Sequence, residues 1–71
     1  MTRVRVDFNS VDATGLVRAL LSRADAPIAI GDDLTAYDAE GSECDATVAT
    51  LDLGVGIAGL KLATASWRET G

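Results

Sequence analysis

Histidine is absent from this chain, and cysteine, proline, phenylalanine, tyrosine and tryptophan occur once each among its 71 residues. Without histidine there is neither the commonest general base nor the commonest metal ligand. The single thiol, Cys44, forms no internal disulfide and no multi-thiolate zinc site. It also lacks a histidine to activate it as a nucleophile, so its expected place is as a small buried hydrophobe. Ser10, Ser22, Ser42 and Ser66 share that lack of a base. No catalytic set of nucleophile, base and orienting group can be assembled from these residues, so neither enzymatic activity nor a cofactor or metal is expected.

Positive charge is scarce as well. Six basic residues, with Lys61 the only lysine, stand against eleven acidic ones and leave a net charge of −5. Nucleic-acid binding takes most of its affinity from neutralising phosphates with Lys and Arg, which makes nucleic acid an unlikely partner overall. Long apolar runs are missing: the stretch 53–60 is eight residues, against about twenty needed to cross a bilayer. Residues 1–9 alternate charged and apolar side chains and do not form the apolar centre of a signal peptide. The expectation is no membrane segment and a cytoplasmic location.

What is present is the balance of a globular chain, 48% hydrophobic and 24% charged. The length corresponds to a single small domain, 1–71, with a thin margin of stability. Arg3-Val4-Arg5-Val6-Asp7-Phe8 alternates with period two, placing Val4, Val6 and Phe8 on one face of a strand. Asn9-Ser10 and Asp12-Ala13-Thr14-Gly15 supply turn chemistry. Residues 14–24 read two ways. Leu16, Val17, Leu20 and Leu21 fit one face of a short amphipathic helix with Arg18 and Arg23 toward water. As a strand, Val17, Ala19 and Leu21 point inward, and the short connection from the first strand suggests a hairpin.

Farther on, Gly31-Asp32-Asp33 reads as a turn or bulge, Leu34 to Tyr37 as a strand, and Asp38-Ala39-Glu40-Gly41 as a hairpin loop. Cys44 to Leu51 returns as a strand with Cys44, Ala46, Val48 and Thr50 on one face. Residues 60–64 alternate again. Five short strands between Gly- and Asp-rich turns predict an all-β fold: a small five-stranded SH3-like barrel or curled antiparallel sheet, with one short helix at 14–24 as the alternative. Phe8, Tyr37 and Trp67 are the aromatic side chains available to its core, Trp67 as a plug or lid.

Val6-Asp7-Phe8-Asn9, Asp12 and Gly15-Leu16-Val17-Arg18 resemble the opening of small uncharacterised actinobacterial proteins. Ile30-Gly31-Asp32-Asp33-Leu34, Tyr37-Asp38-Ala39-Glu40-Gly41, Ala46-Thr47-Val48 and Ser66-Trp67 are similar to their downstream pattern. The glycine–aspartate turn, hairpin and returning strand also look like those of SH3-like barrels. The resemblance covers most of the chain and implies a fold; it brings no activity with it.

Gly54-Val55-Gly56-Ile57-Ala58-Gly59 matches G-x-G-x-x-G after a strand-like segment. A dinucleotide site also needs a helix, a second parallel strand and an acid about twenty residues on. Twelve residues follow Gly59, so a flexible hairpin loop is the reading retained. Seven acids fall between Asp32 and Asp52 without the spacing of a calcium loop. They make a solvated acidic face from which Asp33, Asp38, Glu40 and Glu43 are the candidates for binding a protein partner. A second candidate surface is a basic patch of Arg3, Arg5 and Arg18, which pairing of the first two strands would bring onto one face. The preferred function is therefore a small protein–protein interaction module or accessory subunit. The alternatives are a nucleic-acid-binding barrel using the arginine patch, and a self-assembling homo-oligomer.

Overall fold

A computed structural model describes residues 2–69. Its strands are β1 (Arg3–Arg5), β2 (Val17–Leu20), β3 (Asp33–Tyr37), β4 (Ser42–Asp52), β5 (Ile57–Leu62) and β6 (Arg68–Glu69), with single 3₁₀ turns at Leu21–Arg23 and Thr64–Ser66. The all-β class and the curled sheet hold. The helical alternative for 14–24 does not form: Val17 and Ala19 are buried, as the strand reading requires, and one 3₁₀ turn follows. Helix propensity across Leu16–Leu21 is overridden because β5 offers a partner backbone in register from Val17↔Leu60 to Leu20↔Ile57.

The sheet runs β1-β3-β4-β5-β2, and β6 adds to β4 as a sixth strand where five were expected. β3, β4 and β5 form an antiparallel meander through two hairpins. The first hairpin turns on Asp38, whose Oδ1 accepts the N–H groups of Glu40 and Ser42 at 3.0 and 2.9 Å, while Gly41 adopts φ 92°. The second hairpin contains the G-x-G-x-x-G run. Residues 53–56 make its turn and Gly59 lies inside β5, so the glycines serve a hairpin.

β1 and β2 do not form the expected hairpin. β1 pairs in parallel with β3, Arg3↔Thr35 to Arg5↔Tyr37, and β2 lies at the far edge beside β5. Curling brings these two edges face to face. They are tied at one end by the bridge Val4↔Ala24 and at the other by the bridge Val11↔Val17 and the bond from Arg18 N–H to Ser10 C=O, 3.0 Å. The result is a half-barrel whose seam lies between residues 5–10 and 18–23.

The core inside this curl is aliphatic and small: Val4, Leu34 and Leu60 are fully buried, with Val17, Ala36, Val48 and Ala58 around them. In β4 the inward set is Ser42, Cys44, Ala46 and Val48. Thr50, expected on the same face, is exposed, because a bulge between Val48 and Thr50 shifts the register and resets the alternation. Beyond it Leu51 packs against the core from a half-buried position. Among the aromatics, Phe8 is half-buried against the core. Trp67 remains 43% exposed and covers Phe8 from outside, as a lid rather than a plug.

Candidate functional site

The seam opens into a cleft of about 710 Å³. One wall is the chain leaving β1, Arg5 to Ser10; the other is Arg18 to Leu20 of β2 with Arg23 from the 3₁₀ turn. Asp38 to Glu40 of the β3–β4 turn and Ile57 of β5 complete the lining. Phe8, Leu20 and Ile57 give it an apolar component between the charged groups.

Strand geometry explains why this wall offers backbone as well as side chains. Hydrogen-bonded pairs alternate along an antiparallel ladder. Leu21 N–H bonds Gly56 C=O at 2.9 Å, so the peptide groups of Val17 and Ala19 face β5 and those of Arg18 and Leu20 face the seam. Arg18 N–H is taken by Ser10. The N–H of Leu20 has no backbone partner among the described residues, and Leu20 itself is 44% exposed. The seam thus leaves one main-chain donor of β2, the Leu20 N–H, open between its two tied ends.

The basic residues divide sharply. Arg68 donates to Glu43 at 2.6 Å and to Asp45 at 3.2 Å, and Arg3 donates to the other oxygen of Glu43 at 3.1 Å. Arg3 also lies over the Tyr37 ring, 4.8 Å from its centroid. Arg5, Arg18 and Arg23 make no ion pair among the described residues, and all three line the cleft. The expected patch therefore keeps Arg5 and Arg18, loses Arg3 to Glu43, and gains Arg23. Only the curl of the sheet places Arg23 in the same cleft as Arg5; five residues of spacing from Arg18 carried no such signal.

The four acidic candidates are not one surface. Glu43 has only 12% of its side chain exposed and is committed to two guanidinium groups. Arg68, and then Arg3, hold its carboxyl below the ordinary glutamate range, while Glu43 in turn raises Arg68. Asp33 accepts the Thr47 hydroxyl at 2.9 Å, at the opposite end of the β3–β4 ladder from Glu43. Asp38 is occupied in building its turn. Glu40, exposed at that turn and without an ion pair among the described residues, is the one acid of the four left free in the cleft wall.

Other acids likewise organise loops. Asp12 Oδ1 accepts the Thr14 hydroxyl and the N–H groups of Thr14 and Leu16, contacts that hold its carboxyl below the ordinary aspartate range, the Thr14 hydroxyl foremost. Asp7 accepts Asn9 N–H at 2.9 Å. Cys44 is fully buried with Sγ 3.2 Å from the Ala63 carbonyl oxygen, out of reach of any substrate. Among the described residues no three potential metal-ligating side chains converge, and no helix is long and apolar enough to cross a membrane. The arrangement can bind through backbone edge, guanidinium groups and a few apolar side chains. No family model matches the chain, and neither a curated protein nor a solved structure matches it.

Proposed function

We propose that the protein is an interaction module that takes an extended segment of a partner protein into its seam cleft. The observation that carries this is the unpartnered N–H of Leu20 on the seam edge of β2, opening on a cleft of about 710 Å³ whose other wall is the chain from Arg5 to Ser10. A segment lying there accepts a main-chain hydrogen bond from the Leu20 N–H, the interaction that strand addition uses. The acidic hairpin frames this surface instead of forming it, because Glu43 and Asp38 are bound internally.

Backbone chemistry allows a selective test. Leu20 has φ −81°, close to the range proline adopts, about −65 ± 15°. Its N–H is outside the ladder, so Leu20→Pro deletes that donor without breaking an internal hydrogen bond. Leu20→Ala removes the same side chain and keeps the donor. Dodecapeptides selected on the wild-type protein from an unbiased display library are expected to bind Leu20→Pro about five- to tenfold more weakly than Leu20→Ala. Light scattering is expected to show one chain per particle. Failure to enrich any peptide, or equal affinity for the two variants, overturns the reading. A two-chain particle whose association Leu20→Pro abolishes gives the seam to a second copy instead.

A further inference from the structure

We infer that the segment received in this cleft is acidic, its carboxylates bound by Arg5, Arg18 and Arg23; the inference rests on the seam-cleft reading above. Two of the chain's arginines are tied into the Glu43–Asp45 network, and the remaining three line one cleft without an ion pair among the described residues, Asp12 acting on Arg18 only through its charge at longer range. A chain carrying −5 overall has carboxylates in excess to neutralise its cations. Three guanidinium groups brought together without an ion pair are therefore an arrangement of the fold and not a shortage of acids. Each presents planar N–H donors matched to a carboxylate.

The acids in the same walls sharpen the assignment. Asp7 and Asp38 direct an oxygen to backbone N–H groups of their own turns, whereas Glu40 is free. A phosphodiester strand, with a charge on every nucleotide, would be repelled by all three carboxylates. For its bases it would find a single aromatic ring, Phe8, among the cleft-lining residues, where stacking of successive bases needs several. A peptide spaces its charges. In an extended segment alternate side chains share a face, so acidic residues can meet the arginines while apolar ones between them meet Leu20 and Ile57 and leave Glu40 uncontacted. Peptide carboxylates, rather than nucleic-acid phosphates, are the chemistry that fits.

The test uses the same display selection, read for composition. Enriched dodecapeptides are expected to carry Asp or Glu at alternate positions. They are expected to lose about two- to fivefold in affinity for each of Arg5→Gln, Arg18→Gln and Arg23→Gln, exposed pairs being individually modest. The triple variant is expected to lose more than tenfold, and wild-type binding to weaken with added salt. Arg3→Gln is the control and should leave affinity unchanged. Enrichment of neutral peptides that ignore the arginine variants but are lost in Leu20→Pro overturns the acidic assignment and leaves the cleft reading standing. No enrichment at all removes both. Tighter binding of an oligouridylate than of any selected peptide, abolished in the triple variant, moves the site to nucleic acid and overturns the inference.

Discussion

Phe8 and Trp67 stand with ring centroids 4.7 Å apart and planes inclined at 60°, joining the chain just after β1 to the segment just before β6. The contact is a tilted aromatic pair at the edge of an otherwise aliphatic core, and it forms the outer cover of the cleft wall that contains Phe8.

Removing Phe8 should therefore be felt in two places. Phe8→Ala is expected to destabilise the fold by about 1–2 kcal/mol, below the full cost of a buried aromatic because Phe8 is only half-buried. Urea unfolding followed by the single tryptophan measures both effects, since Trp67 emission should also shift to the red in the native state. An unchanged midpoint with unchanged emission would contradict the packing described.

Acid should loosen the Glu43 junction. Its carboxyl lies below the ordinary value of 4.5 in the fold, chiefly through Arg68 and next through Arg3. A lowered carboxyl stabilises the folded state at pH values above the unfolded value. That contribution declines as pH falls below about 4.5 and is gone once the folded group is protonated. Asp12 adds in the same sense from its ordinary value of 3.8. Thermal melts from neutral into the acid range should show a plateau and then a fall. Glu43→Gln should melt about 1–5 °C lower at neutral pH, and its melting temperature should drop less on acidification. Parallel curves for the two proteins would rule out this origin of the acid sensitivity.

Gly59 should matter more than its G-x-G-x-x-G neighbour Gly54. A Cβ on Gly59 would collide with Thr50 Oγ1 across the bulged ladder and stand 3.1 Å from Leu16 Cδ1, whereas one on Gly54 meets only Asp52 Oδ1 at 3.3 Å. Gly59→Ala is expected to cost about 1–3 kcal/mol as overpacking, and Thr50→Ala in the same chain should recover part of it. Denaturation midpoints of the single and double variants report this directly. Equal tolerance of alanine at positions 54 and 59 would remove strand packing as the reason for glycine at 59.

Parts of this molecule are local consequences of the sequence. Val4 and Val6 alternate with charged residues and are buried whatever strand lies beside them, because side chains on a strand change face at every residue. Asp38 and Gly41 make their hairpin within a few residues, from a side-chain acceptor and a permissive φ. Absence of histidine and the single cysteine likewise limit the side-chain chemistry through composition alone.

Tertiary structure decided the remainder, because partner choice is not encoded by period. Arg3 and Arg5 share a strand face by spacing, yet Arg3 is drawn to Glu43 and Tyr37 while Arg5 enters the cleft with Arg18 and Arg23. Helix and strand readings of residues 16–21 both satisfied the local pattern, and the ladder with β5 selected the strand. The parallel placement of β1 beside β3 moved β2 to the opposite edge, and curling then set those edges across an open seam. A pattern of alternating residues records which side chains are turned inward. Which strand each edge meets, and which edge is left unpaired, depends on hydrogen bonds and packing between residues far apart in the chain.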